Sequence, residues 1–137
     1  MQLDILQLYT TPHLAAALRA RFNLAVWRAA AIATNADIPP DPAGVDALLL
    51  EAKPPEGANR PGGNATTFDW SALAGWTAPY AWILAGGLTP ANVAEAIKVT
   101  NAPCVDVSSG VERTRGVKDS NLIRAFVKEA RKQAVLF

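Results

Sequence analysis

The sequence has little of what several classes of functional site require. Its 137 residues include one cysteine and one histidine, so the chain cannot form an internal disulfide or a metal site built from several cysteines. The formal net charge is +1, and the basic residues are not clustered into the patch that nucleic acids or anionic membranes bind. No apolar run approaches the roughly 18 residues that span a bilayer. We therefore expect neither a nucleic-acid partner nor a membrane partner.

The bulk composition fits a single domain, residues 1–137, because half of the residues are apolar and 18% are charged. The first residues, Met-Gln-Leu-Asp-Ile-Leu, lack the basic and apolar segments of a signal peptide, so we expect a cytoplasmic protein. Cys104 lies in an apolar run and is expected to be a small buried side chain rather than a reactive thiol. His13 follows a helix-starting proline and is expected to be exposed.

Short apolar runs alternate with stretches of helical periodicity along the chain. Five runs have the length and composition of strands, namely residues 3–9, 24–29, 46–52, 81–85 and 104–108. Helices are predicted after Thr11-Pro12, within 30–37, over 70–73 behind Asp69, after Thr89-Pro90, and over 121–133 behind Asp119 or Ser120.

This alternation of strands and helices predicts an α/β fold whose strands are parallel and joined by crossover helices. The continuous apolar core of residues 46–52 is typical of a parallel strand covered on both faces. Right-handed crossovers leave two architectures, an open doubly wound sheet or a (β/α) barrel. The alternation by itself does not choose between them.

Two of the predicted strands end in turns rich in glycine and serine. The first turn contains Gly86 and Gly87, and the second contains Ser108, Ser109 and Gly110. Exposed amides at such strand ends bind phosphate, and in (β/α)₈ barrels the phosphate site commonly follows strands seven and eight. Neither turn matches the dinucleotide or P-loop motifs. The pair therefore predicts a site for a small phosphorylated ligand.

Longer runs resemble one enzyme family, the phosphoribosylanthranilate isomerases. Leu-Ala-Gly-Gly-Leu (84–88) with Thr-Pro-Ala-Asn-Val-Ala-Glu-Ala-Ile (89–97) resembles their strand-seven turn and helix. Their strand-eight motif is similar to Val-Asp-Val-Ser-Ser-Gly-Val-Glu (105–112) with Gly-Val-Lys-Asp (116–119). Their loop after strand six resembles residues 60–64 and 68–70, and their strand four resembles residues 6–8. The resemblance implies an incomplete TIM-type barrel containing strands four to eight of eight.

The resemblance also implies a reaction and the residues that perform it. The family carries out an Amadori rearrangement in tryptophan biosynthesis, in which an acid protonates the ribose ring oxygen and a base removes the C2′ proton. The family's general acid is an aspartate, and Glu51 stands at its position. The family's general base is a cysteine at the end of strand one, a strand that this chain lacks. The implied phosphate-binding residues are Gly86, Gly87, Ser108, Ser109 and Gly110, and candidate substrate contacts are Gln7, Arg28 and Asp106.

Several positions depart from the family pattern. Tyr9 stands where the family has histidine, Arg28 where it has lysine, and Ala65 where it has glycine. The family uses no metal or organic cofactor, and none is expected here. Three hypotheses follow: an isomerase homologue acting on a small phosphorylated sugar–anthranilate substrate, a non-catalytic sugar-phosphate-binding pseudoenzyme, and a half-barrel that forms homo-oligomers through its exposed sheet edges.

Overall fold

A parallel sheet organises the part of the chain that the computed structural model describes, residues 3–53 and 67–134. The four strands are hydrogen-bonded in chain order, and they are β1 (Ile5–Leu8), β2 (Ala25–Ile32), β3 (Ala47–Ala52) and β4 (Trp82–Leu84). A fifth parallel segment is reduced to one bridge between Leu84 and Val105. The predicted α/β class with parallel strands is therefore confirmed.

The described residues form three α-helices: α1 (Pro12–Phe22), α2 (Val93–Thr100) and α3 (Ser120–Ala134). Thr11 caps α1 as predicted, since its Oγ accepts the N–H of Leu14 at 3.4 Å. Asp119 caps α3, accepting the N–H groups of Asn121 and Leu122 at 2.8 and 3.1 Å. Within residues 3–53 and 67–134, no helix has the length and apolar character needed to cross a membrane.

Two predicted helices differ from the observed elements. Residues 30–32 belong to β2, because their backbone continues the ladder with β3 as far as the pair Ile32 and Ala52, and only the short 3₁₀ helix Asn35–Asp37 follows. The helix expected at Thr89-Pro90 begins at Val93 instead. A 3₁₀ helix at Trp70–Leu73, capped by the Asp69 side chain, agrees with the prediction.

A small hairpin between the sheet and the last helix was not predicted. Its strands are β5 (Glu112–Thr114) and β6 (Val117–Lys118), which pair antiparallel after the 3₁₀ turn Ser109–Val111. The segment is polar and two to three residues long on each side, so it carries no periodic hydrophobic signal. The hairpin follows directly from the second glycine-containing turn.

The sheet has two faces that bury different side chains. On the helix face, Val26, Leu48 and Leu84 pack into the main core together with Val93 of α2 and Phe126 of α3. On the opposite face, here called the inner face, lies a smaller apolar cluster. Its members are Trp27, Ala29, Ala47, Leu49, Ile83 and Ala85. Alternate residues of each strand therefore serve the two faces, as the pleat requires.

The prediction for Cys104 is wrong, because its side chain is exposed. Its carbonyl oxygen accepts the N–H of Leu84 at 2.9 Å, which places Cys104 on the outermost segment of the sheet. No further strand covers that segment within the described residues. The apolar neighbours of the cysteine therefore do not enclose it. His13, in contrast, is exposed as expected.

Asp46 connects α1 to the sheet just before β3 begins. Its carboxylate accepts Arg19 Nε and Nη2 at 2.7 and 2.8 Å and the N–H of Val26 at 2.8 Å. The Arg19 side chain, followed by the Val26 amide, lowers the pKa of Asp46 to about 2. One carboxylate thus joins a helix and two neighbouring strands.

We expect Asp46→Asn to lower the free energy of unfolding by about 1 kcal/mol near neutral pH, because the exposed ion pair is screened by solvent. The pKa of Asp46 is depressed, so its contribution is present above about pH 4 and is lost as the pH falls towards about 2. Urea denaturation at several pH values measures both effects. Asp4→Asn, at an exposed position before β1, is the control. Equal acid sensitivity of the D46N variant and the unmodified chain would contradict the assignment.

Candidate active site

The two glycine-containing turns lie against one cavity at the carboxyl ends of the strands. The structure places residues 86–88 and 107–110 around it, together with Tyr9, Glu51 and Asp106. We call this the strand-end cavity. Of the residues proposed from the sequence, Glu51, Asp106 and all five turn residues are brought together here. Ligands of parallel α/β proteins bind at this end of the strands.

Close packing of the first turn against β3, and of the second turn against the first, explains why the turns contain glycine. Gly86 has a φ of 84°, and a Cβ atom there would lie 2.8 Å from the backbone nitrogen of Ala52. A Cβ atom on Gly110 would overlap the carbonyl group of Leu88, which belongs to the first turn. The turns therefore contact each other through backbone atoms. A larger residue in place of Gly110 would push the two turns apart, together with the backbone amides that they carry.

Asn92 fixes the first turn and was not identified from the sequence. Its Oδ1 accepts the N–H of Thr89 at 2.7 Å, and its Nδ2 donates to the carbonyl of Gly87 at 3.1 Å. These bonds hold residues 89–92 in a turn, so α2 starts only at Val93. An asparagine shortly after a Gly-Gly pair is a turn signal that could have indicated this role.

Two carboxyl groups share the strand-end cavity. Glu51 ends the inner-face series of β3 and is only 5% exposed. Burial, and then the nearby Asp106, raise the pKa of Glu51 to about 7, while a hydrogen bond from the Tyr9 hydroxyl acts in the opposite direction. Burial also raises the pKa of Asp106, although Lys118 partly opposes this. Near neutral pH the cavity therefore favours a proton on its carboxyl pair, chiefly on Glu51.

Gln7 and Arg28, both proposed as substrate contacts, lie outside this cavity. Gln7 is on the same face of the sheet as Tyr9 and pairs with Trp27 of β2. Arg28 lies between the inner-face residues Trp27 and Ala29 along β2, so its side chain points to the helix face, where it is 7% exposed. Its Nη1 donates to the Ala29 carbonyl at 3.2 Å. The pleat of β2 therefore directs the Arg28 side chain away from Glu51, and Arg28 does not line the strand-end cavity.

Part of the expected site falls outside the described residues. The Arg-Pro-Gly-Gly-Asn run (60–64) and Ala65, proposed as the loop after strand six, belong to residues 54–66. Over residues 3–53 and 67–134, there is no group of three or more His, Cys, Asp or Glu side chains arranged to hold a metal ion. The geometry available for chemistry is therefore a carboxyl pair, a phenol and two backbone turns.

The sequence and the fold both match known isomerases. Residues 1–129 match the family model described as N-(5′-phosphoribosyl)anthranilate (PRA) isomerase. The chain belongs to the PRA isomerase family. It is 56% identical over 128 residues to the N-(5′-phosphoribosyl)anthranilate isomerase of Acidiphilium cryptum, covering 93% of this chain and 62% of that relative. A relative of the same name from Hyphomonas neptunium is 54% identical over 134 residues, with the same shares of each chain covered.

Solved PRA isomerase structures share the arrangement of strands and helices. TrpF from Jonesia denitrificans superposes with a TM-score of 0.74 at 40% identity, covering 96% of this chain and 61% of that one. A PRA isomerase solved with reduced 1-(o-carboxyphenylamino)-1-deoxyribulose 5-phosphate superposes with a TM-score of 0.72 at 29% identity, covering 95% and 60%. The chain thus spans about three fifths of the length of the relatives it matches.

Membership of the PRA isomerase family extends to the whole strand-end cavity. Every residue that lines the cavity, from Tyr9 to Gly110, lies within the matched range 1–129. Glu51 and Tyr9, the two cavity residues that depart from the family pattern, line the same cavity. The two departures therefore occur in one part of the site rather than at separate places on the molecule.

Burial of Glu51 predicts a pH-dependent stability. Its pKa is raised above the ordinary value of 4.5 to about 7, so its protonated form is favoured by folding. The resulting stability is full below about pH 4.5 and is lost as the pH rises through about 7. Relative to Glu51→Gln, the unmodified chain should lose roughly 3 kcal/mol across this interval.

Chemical denaturation of both proteins between about pH 4.5 and 8 measures this difference. Glu95→Gln, at an exposed glutamate of α2, controls for the loss of one negative charge. A constant difference between the E51Q variant and the unmodified chain over the whole interval would show that Glu51 ionises as readily in the fold as in water.

Proposed function

We propose that this chain provides the phosphate-binding and proton-donating part of a PRA isomerase active site. We infer that β1 to β4 and the segment around Val105 correspond to strands four to eight of a TIM-type barrel. The observation that carries the proposal is the presence of Glu51 in one cavity with both glycine-containing turns. A sugar-phosphate ligand can then reach the turns with its phosphate and the carboxyl group with its ring.

Backbone amides of the two turns support the phosphate assignment. Within the described part of the chain, the N–H groups of Gly87, Ser109 and Gly110 have no protein acceptor. Free amides at the carboxyl ends of parallel strands bind phosphate oxygens by direct hydrogen bonds. The proposed substrate is therefore a small phosphorylated sugar attached to anthranilate, bound by its phosphate at these amides.

Glu51 is the proposed general acid. In the rearrangement, the acid gives its proton to the ribose ring oxygen as the bond between that oxygen and C1′ breaks. The anthranilate nitrogen lone pair forms a C1′=N double bond as the ring opens. A base then removes the C2′ proton, the electrons of that bond shift towards the nitrogen, and protonation of C1′ converts the resulting enol into the ketone. A carboxyl group with a pKa of about 7 keeps a proton available near neutral pH. Burial beside Asp106 thus suits Glu51 to the first step.

The general base is proposed to come from outside this chain. Cys104 is the one cysteine in the sequence, and its exposed side chain does not line the strand-end cavity. The relatives contain further sequence, since the chain covers 62% of the Acidiphilium cryptum protein. We propose that a segment equivalent to the remainder, on a longer chain or on a partner, completes the barrel and brings the base opposite Glu51.

This proposal predicts activity only after complementation. The purified chain alone should not isomerise N-(5′-phosphoribosyl)anthranilate above the uncatalysed rate. Adding the N-terminal part of the Acidiphilium cryptum relative, in trans or fused as one chain, should produce turnover. In the fused protein, Glu51→Gln should lower kcat about 100-fold or more, because one proton transfer loses its donor.

Two comparisons make the test specific. Glu51→Asp should retain most of the activity because it restores the aspartate of the family pattern, and Glu95→Gln should leave kcat unchanged. Turnover by the isolated chain at the rate of the intact relative would overturn the proposal that the base lies elsewhere. Binding of ribose 5-phosphate by the fused protein without turnover would instead support a non-catalytic sugar-phosphate binder, which the names of the relatives do not favour.

The exposed edge of the sheet supports a second proposal, that isolated chains self-associate. Among residues 3–53 and 67–134, β1 pairs with β2 alone, and Leu3, Ile5 and Tyr9 in or beside β1 are 47%, 40% and 43% exposed. An open edge strand with apolar side chains pairs readily with another chain. Sedimentation should therefore detect a concentration-dependent dimer that Ile5→Lys weakens.

The control is Val117→Lys, which adds the same charge at an equally exposed apolar residue on the hairpin. A monomer at every concentration tested would exclude pairing through β1. If both substitutions weaken the dimer equally, the added charge is the cause and β1 is not the interface.

A further inference from the structure

A lysine side chain on the β5–β6 hairpin contacts the second glycine-containing turn. Lys118, on β6, donates from Nζ to the carbonyl oxygen of Ser108 at 2.7 Å and to Ser108 Oγ at 3.1 Å. The same Nζ contacts Glu112 Oε1 at 2.9 Å. One ammonium group thus connects the hairpin to the first residue of the turn that lines the strand-end cavity.

The Ser108 carbonyl has no other strong donor in the described residues. The N–H of Val111 reaches it at 3.4 Å, at the long limit of a hydrogen bond, whereas Lys118 reaches it at 2.7 Å. The backbone of Ser108, with φ of −120° and ψ of −83°, is neither helical nor extended. The orientation of this peptide group therefore depends mainly on the ammonium group of Lys118.

Peptide geometry converts this contact into an orientation of the next amide. In a planar trans peptide, the carbonyl of one residue and the N–H of the following residue point in opposite directions. An ammonium group that holds the Ser108 carbonyl on the hairpin side therefore holds the Ser109 N–H on the opposite side. That N–H is one of the amides that find no acceptor among the described residues.

Glu112 keeps the ammonium group in place. Its Oε1 accepts Lys118, and its Oε2 accepts the N–H of Gly116 at 2.9 Å at the tip of the hairpin. The side chain of Glu112 is 14% exposed, so this end of the ion pair is largely shielded from water. The hairpin, which the acid and phosphate chemistry does not otherwise use, therefore has a role in supporting the turn.

We propose that Lys118 is a positioning residue that orients the Ser109 amide for phosphate without itself contacting the ligand. The inference rests on the proposed phosphate site and extends it beyond the cavity lining. Lys118 acts through the Ser108 peptide, so its removal should weaken phosphate binding even though the cavity residues are all retained.

The test measures ribose 5-phosphate affinity by calorimetry for the full chain and its variants. Lys118→Met should weaken binding about tenfold or more, because a free amide is no longer held towards the anion. Lys118→Arg should recover much of the affinity, since a guanidinium can also donate to Ser108. Arg115→Met, which removes a positive charge from the same hairpin, should change the affinity less than about twofold.

Salt separates positioning from direct attraction. The defect of the K118M variant should persist at about 1 M salt if Lys118 orients a peptide, whereas a direct charge effect would shrink. Equal affinity of the K118M variant and the unmodified chain would overturn the inference while leaving the phosphate site intact. If the K118M variant does not fold, Glu112→Gln, which loosens the same ammonium group, should produce the same loss of affinity, and an unchanged affinity would overturn the inference.

A ligand-free measurement distinguishes failure of this inference from failure of the phosphate site. The amide resonance of Ser109 in the absence of ligand should move in the K118M variant and stay in place in the R115M variant. If the unmodified chain binds no ribose 5-phosphate, the proposed function fails, and the Ser109 resonance still decides whether Lys118 orients that peptide. An unchanged Ser109 resonance in the K118M variant overturns the inference.

Discussion

The site depends on the short ladder that joins β4 to the last parallel segment. Two hydrogen bonds, from Leu84 to Cys104 and from Asp106 to Leu84, each 2.9 Å long, align the segment with the sheet. Because parallel strands end at one edge, this alignment brings Asp106 beside Glu51 and the second turn against the first. Backbone contact between Gly110 and Leu88 then closes the strand-end cavity. Without this ladder neither the carboxyl pair nor the pair of turns would exist.

The two halves of the cavity use different physical means. At the turns, the ligand-binding groups are backbone amides, and side chains such as Asn92 act by fixing the backbone that carries them. At the carboxyl pair, the side chain itself is the reacting group, and burial beside a second carboxyl sets its protonation. The first half tolerates side-chain variation as long as glycine keeps the turns close. The second half depends on the distance and burial of particular atoms, so a change such as aspartate to glutamate has chemical consequences.

Local signals allowed much of the fold to be predicted. Caps at Thr11, Asp69 and Asp119 act through neighbouring residues, so they are readable from the sequence. The strand assigned to residues 24–29 was too short, because its extension to Ile32 depends on pairing with β3. Cys104 was predicted to be buried from its apolar neighbours, yet exposure depends on whether another strand lies alongside. These errors share one origin, since both properties belong to strand pairs and not to single segments.

The sequence by itself determined the order of strands and helices, the two glycine-containing turns and the family resemblance, because short-range patterns encode all of these. Only the tertiary structure decided which face of β2 carries Arg28, that Tyr9 lies in one cavity with Glu51, and that the Lys118 side chain contacts Ser108. Each of these features depends either on contacts between residues far apart in the chain or on which residues of a strand point to which face of the sheet. The chemistry of the site arises at that level, because a carboxyl group takes its pKa from neighbours that only folding brings together.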